Sequence, residues 1–262
     1  MKTFRQFLTR AGRRLDLFQR RLRFQVIASR FNPRRIPVLD RNSFRGSRVI
    51  VLGPASTVLE DLDAVDVDSF DFIVRLNNGI ALALQNPDVL GSRTDILFHN
   101  LNETGDRSAG AIPIPLLLKH KVRHLVFPHW GFRGSKAGLY TKKVEVGSHP
   151  QISLVVPPAA FCEGVRQRLA DHKPTTGASA LLFFLECDLH ELQVHGFTFF
   201  QTAYLTGYND AVKSDEDASD WVAASNIHDP LREKAVLREA IDEARNRGMT
   251  VTLGKNVARH LD

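Results

Sequence analysis

Only two cysteines occur in the 262 residues, Cys162 and Cys187, and neither sits in a metal-ligand spacing. At most one disulfide can form, which fits a reducing compartment and leads us to expect a cytoplasmic protein. Long apolar runs are also missing: VIVLG, FIVRL and LLFFL fall far short of the roughly 20 residues a bilayer span requires. The N-terminus has neither the continuous apolar core nor the small-residue cleavage site of a secretory signal, so secretion is not expected. No internal repeat, long low-complexity tract or GxGxxG fingerprint interrupts the chain. What remains is 43% hydrophobic, enough for one large domain with a substantial core.

Acidic residues are scarce in one place. Residues 1–46 hold 13 Lys/Arg against only Asp16 and Asp40, whereas the whole chain has a formal net charge of +6. The remainder is therefore net acidic, and a nucleic-acid partner is not expected from the overall charge. Within the basic segment Phe4, Leu8, Ala11, Leu15, Phe18, Leu22 and Val26 form a helical stripe flanked by arginines. Such a helix can lie in an anionic lipid interface, making the protein peripheral at the inner membrane. It can equally pack on its own domain with a solvated basic face, since both need the same stripe. An Arg-rich targeting peptide is a third reading. Asn32-Pro33 through Pro37 reads as a linker, dividing the chain into a basic helix and linker, 1–46, and a domain, 47–262.

From residue 47 onward short apolar runs alternate with helical stretches. Strands are predicted at 49–52, 72–76, 95–98, 124–127, 192–197 and 250–253. Helices are predicted near 80–85, 113–120, 158–170, 177–187 and 230–247. This alternation specifies an α/β, Rossmann-like fold with a mostly parallel sheet flanked by helices. Two poorly patterned stretches, 132–156 and 213–221, read as loops bordering a site.

Three junctions carry candidate chemistry. After the first strand, Gly53-Pro54-Ala55-Ser56-Thr57 offers a glycine and hydroxyls before a helix, a junction where amides can approach a phosphate, though most such junctions are ordinary turns. The second strand runs into Asn77-Asn78-Gly79, which serves equally as a turn or as a ligand contact. Thr175-Thr176-Gly177 opens an apolar helix with hydroxyls and free amides, suited to a phosphate or carboxylate or simply to capping. Near the C-terminus, in IHDPLRE, Asp229 is a good N-cap and Pro230 fits the first helical position, but the helix gives His228 no role.

These pieces stand in an order that resembles family 29 of the glycosyltransferases, the eukaryotic-type sialyltransferases, as a divergent bacterial-type member. VDSFDFIVRLNNG and LGSRTD are similar to the family's large sialyl motif, and PTTGASALLFFLECDLHELQVHGF to its small one. Tyr208-Asn209-Asp210 lies where the third motif is expected, and His228 with Glu233 matches His-x4-Glu. The resemblance spans about residues 47–254 and rests on four motifs in sequence. It implies a variant of the GT-A glycosyltransferase fold and transfer of sialic acid, or a related acidic sugar, from a CMP-sugar to a glycan or glycolipid acceptor. The displacement would invert configuration and use neither metal nor other cofactor. His228 would be the general base, a role that suits a mostly neutral imidazole. Glu233 would be catalytic or positional, since an acid in a first helical turn is favourable in any case.

By the same resemblance Asn77 contacts the donor nucleotide, Thr175, Thr176 and Gly177 hold the phosphate or the sugar carboxylate, and Tyr208 contacts the phosphate. The family's asparagine after the first-motif glycine is Pro54 here, so Ser56 stands in beside Gly53 as a donor-binding candidate. The family's cysteine pair is not reproduced, because Val49 fills its first position. Kdo transfer from CMP-Kdo and a non-catalytic nucleotide- or glycan-binding module are the alternatives. Asp61-Leu62-Asp63 and Asp66-Val67-Asp68 fit a metal-binding DxD pattern but precede a strand, and read as an acidic connection. Asp188, His190, Glu191 and His195 match no standard metal spacing.

Overall fold

A computed structural model describes residues 36–105, 108–132, 136–224 and 227–261. The basic helix expected over most of 1–35 lies outside them. In chain order the first elements are β1 (Arg48–Leu52), α1 (Val58–Asp61), β2 (Phe72–Leu76), α2 (Gly79–Gln85), α3 (Pro87–Leu90) and β3 (Ile96–Phe98). They are followed by α4 (Ile114–Lys119), β4 (His124–Val126), α5 (Lys136–Val146), β5 (Ser153–Val155), α6 (Ala159–Arg168) and α7 (Thr176–Leu185). The last are β6 (Glu191–His195), α8 (Asp215–Ala223), α9 (Pro230–Asn246), β7 (Thr250–Leu253) and α10 (Lys255–Leu261). The seven strands form one sheet in the order β5-β4-β3-β2-β1-β6-β7, and every pairing is parallel. The α/β sandwich expected from the sequence is thus present.

Parallel strands need crossovers, and the helices of those crossovers cover both faces, so central strands are apolar on both sides. Val49 and Val51 of β1 face a core shared with α6, α7 and α9, while Ile50 and Leu52 face α1 and α2. Leu97, Leu125 and Leu154 pack under α4 and α5. Helix α7 is buried on almost its whole surface, as its run ALLFFL requires. No helix among the described residues is long and apolar enough to cross a membrane.

The structure departs from the sequence expectations in two places. Residues 36–46, read as linker, pack into the domain: Val38 bridges Val156, and Phe44 is fully buried against Phe72, Phe183 and Phe184. The stretches read as loops at 132–156 and 213–221 contain α5, β5 and α8. Their signals are weak for physical reasons. β5 is a three-residue edge strand, α5 has only a faint apolar stripe, and α8 is held by a capping box between Ser214 and Asp217.

Candidate active site

Strand order reverses beside β1, where β2 leaves on one side and β6 on the other, and open α/β sheets bind ligands at the carboxyl ends of strands flanking such a reversal. Here the two strand ends nearly touch. Gly53 donates its N–H to His195 O at 2.8 Å, and a Cβ at Gly53 would lie 2.8 Å from the carbonyl carbon of Gly196 and from Phe197 Cδ2. Glycine is needed because backbone meets backbone. The amides of Ala55 and Ser56 are also taken, by Gly196 O and Ala203 O. The first junction therefore offers no free amide from these residues to a phosphate. Ser56 is exposed, and neither it nor Gly53 lines the clefts described below, although Pro54 and Ala55 do.

The helix start at Thr175 is built differently. Thr175 caps α7 with its hydroxyl, which accepts from Ala178 N at 3.0 Å and donates to Glu233 Oε2 at 2.8 Å. Its amide donates to Glu233 Oε1 at 2.7 Å. Both carboxylate oxygens of Glu233 are thus occupied, and burial raises its pKa to about 7. Glu233 braces the turn from beneath. The amides of Thr176 and Gly177 have no partner among the described residues and stand at the positive end of the helix. Gly177 is packed against Phe197, whose Cε1 would be 2.9 Å from an added Cβ.

His228 lies just before α9, where Asp229 accepts from Arg232 N and Pro230 starts the helix. The ring is oriented by a single strong contact: Nδ1 donates to the carbonyl of Lys173 at 2.6 Å. A carbonyl can only accept, so the proton resides on Nδ1 and Nε2 keeps its lone pair. Burial lowers the pKa below the ordinary 6.5, which keeps the ring neutral near pH 7. The Lys173 amide answers by donating to Ile227 O at 3.2 Å, so the two segments are joined in both directions.

Asn77 ends β2 in a left-handed conformation, φ 47°, which asparagine tolerates better than most residues. Its amide donates to Phe98 O, and its Oδ1 accepts from Asn100 N at 3.2 Å. Asn78, the second of the pair, ties down a neighbouring loop, for its Nδ2 donates to the carbonyls of Gly207 and Tyr208 at 3.0 and 2.9 Å. That anchors Tyr208 over Asn77, with the hydroxyl 3.4 Å from Asn77 Nδ2 and the ring 4.9 Å from that of Tyr204. Burial pushes the Tyr208 phenol up to about 12, so it remains a proton donor.

Two adjoining cavities unite these groups. One, of about 110 Å³, is lined by Asn77, Thr175, Thr176, Gly177, Tyr208 and Glu233 among others. The second, of about 250 Å³, shares Asn77, Thr175 and Thr176 and adds Asn100, His129, Lys173 and His228. The fold therefore gathers Asn77, the Thr175-Thr176-Gly177 turn, Tyr208, Glu233 and His228 into one cleft, and leaves Gly53 and Ser56 outside its lining. Asn100, His129, Lys173 and Tyr204 were not singled out in the sequence. Asn100 and His129 follow short strands, a position that marks a site only once strand ends are known.

Three of the four acids in the two DxD stretches are engaged elsewhere. Asp61 accepts from the amides of Gly196 and Asn256, Asp66 caps a 3-10 turn, and Asp68 accepts from Ser92 N and Arg93. Glu191 pairs with Arg48, and His195 shares a hydrogen bond with Gln193. Among the described residues no group of three or more His, Cys, Asp or Glu is arranged to hold a metal ion.

No family model and no curated protein sequence matches the chain. Solved structures do. A mammalian sialyltransferase in complex with Gal-beta-1-3GalNAc-ortho-nitrophenol superposes with a TM-score of 0.52 at 17% identity, over 92% of this chain and 85% of that one. A second mammalian sialyltransferase structure gives 0.50 at 17% identity, over 80% and 69%. The sialyltransferase CstII from Campylobacter jejuni in complex with cytidine-5'-monophosphate gives 0.46 at 12%, over 80% of each chain. The fold of this chain is that of the mammalian sialyltransferases, in accord with the motif resemblance read from the sequence.

Proposed function

We propose that the protein is a glycosyltransferase that moves sialic acid, or a related acidic sugar, from a CMP-activated donor to a hydroxyl of a glycan or glycolipid acceptor. The observation that carries this reading is the tautomer of His228. With Nδ1 committed to the Lys173 carbonyl, Nε2 is the nitrogen left to accept a proton, and His228 lines the same cavity as Thr175 and Thr176, so a proton acceptor and an anion-binding helix end share one space. In the reaction the acceptor hydroxyl oxygen attacks the anomeric carbon and passes its proton to Nε2. The bond to the CMP phosphate breaks on the opposite face, which inverts configuration. Negative charge gathering on the departing phosphate, and the standing charge of the sugar carboxylate, would be met by the amides of Thr176 and Gly177, the α7 terminus and the Tyr208 hydroxyl. Asn77 would contact the nucleotide. Glu233 acts through Thr175 as a positioning residue.

The motif resemblance and the fold support the donor class, and the mammalian neighbour with a bound disaccharide glycoside supports a glycan acceptor. A metal ion has no step in this scheme, so transfer should persist in excess chelator. The basic N-terminal segment would hold the enzyme at an anionic cytoplasmic membrane surface, which cosedimentation with anionic vesicles, with and without residues 1–35, would test. The deciding experiment is release of CMP from CMP-Neu5Ac and from CMP-Kdo, with and without glycan acceptors. Acceptor-dependent release from CMP-Neu5Ac supports sialyl transfer, and release from CMP-Kdo alone selects the Kdo transferase. CMP binding without turnover of either donor identifies a binding module.

A further inference from the structure

Lys173 is a half-buried cation that the proposed chemistry leaves unused. Among the described residues its ammonium group has neither an ion pair nor a hydrogen bond. No Asp or Glu among the described residues lines the cavity of about 250 Å³ that it shares with His228. Burial lowers its pKa below that of a free lysine, the sign of an ammonium drawn out of water without a compensating carboxylate. A second polar group in the same wall is also unsatisfied. His129 is 4% exposed, and its Nδ1 has no hydrogen-bond partner among the described residues. His129 Nδ1 is sealed from solvent, so the open demand in this wall is that of Lys173. A half-buried cation lining a cavity without a counter-ion is most simply explained by a ligand that supplies one.

The position of Lys173 identifies which ligand. Its carbonyl and amide are bonded to His228 Nδ1 and to Ile227 O, so lysine and base form one rigid unit. The base must touch the acceptor hydroxyl, and Lys173, whose backbone is anchored to the base and whose side chain lines the same cavity, is within reach of the acceptor. The donor's anionic groups have their own partners in the helix start and Tyr208. We propose that the acceptor is itself anionic, a glycan carrying a carboxylate or phosphate next to the reacting hydroxyl, and that Lys173 is its counter-ion and a determinant of acceptor specificity. This rests on the transferase reading and narrows its substrate class.

The test compares two acceptor glycosides that differ in one group, a glucuronide and the matching glucoside, with wild type, Lys173→Met and Lys173→Arg. Wild type should favour the acidic acceptor in kcat/KM by roughly tenfold or more, the size of a charge-assisted hydrogen bond. Lys173→Met should abolish that preference through the acceptor KM, with the donor KM held, and Lys173→Arg should restore most of it. Equal or better use of the glucoside by wild type would overturn the proposal, as would a rise in donor KM in place of acceptor KM. Should neither acceptor be glycosylated, titration of the two glycosides into the CMP-saturated protein still decides: selective, Lys173-dependent binding of the glucuronide sustains the anionic site, and equal or absent binding overturns it. CMP binding and donor turnover, measured alongside, judge the transferase reading separately.

Discussion

Glu233 closes on Thr175 with both carboxylate oxygens, one on the amide and one on the hydroxyl, and is itself 3% exposed. A carboxylate so placed is costly when charged. It holds its proton to about pH 7 in the folded protein, whereas an unfolded chain releases it near 4.5. Between those values the folded state binds the extra proton, so this group's contribution to stability falls as pH rises from about 4.5 and is gone above about 7.

Glu233→Gln should accordingly flatten the fall of Tm between pH 5 and 8. At pH 8 it should equal or exceed wild type, with a difference on the order of up to 3 kcal/mol set by the pKa displacement. Thermal denaturation of the two proteins across that range is the measurement, and an unchanged slope would remove Glu233 as its source.

His228→Ala should lower kcat by about a hundredfold or more while CMP binding is retained, the range typical of a lost general base. Because burial lowers the His228 pKa, the acid limb of kcat/KM for wild type should fall below the ordinary histidine value of 6.5. A pH profile with its limb at or above 6.5 would count against that assignment.

Gly53→Ala should be among the most damaging single changes, costing about 3 kcal/mol or more, since the added methyl meets the Gly196 backbone and the Phe197 ring. Gly164→Ala in α6 is the matched control. Nothing lies within 4 Å of its Cβ position, so the change should leave stability equal or up to about 1 kcal/mol higher. Urea denaturation distinguishes them.

Asn78→Ala should loosen Tyr208 by removing the two bonds that anchor its loop. We expect donor KM to rise by roughly tenfold, as for the loss of one or two partly buried hydrogen bonds, with kcat for a saturating donor affected less.

The layered sheet was legible because central parallel strands are apolar on both faces, and VIVL and FIVRL carry that signal without ambiguity. The Thr175 turn and His228 were legible from helix-start chemistry joined to motif order. Elsewhere the signal was too short or too indirect. β5 has three residues, α8 looks like an acidic loop until its capping box is seen, and Phe44 reads as linker because one buried aromatic has no period. Lys173 was hidden for a different reason. Its significance lies in the carboxylates missing around it, and only coordinates reveal what surrounds a side chain.

Beside β1 the sheet is completed by β6, and Arg48 pairs with Glu191 across 143 positions of chain. Synthesis proceeds from the N-terminus, so a nascent chain could align its first five strands, which are contiguous in the sheet, long before β6 exists to pair with the free edge of β1. His228 emerges later still. The cleft is thus completed late, when only α9, β7 and α10 remain to be made, and a chain interrupted before residue 228 carries the motifs of its first half without the proposed base.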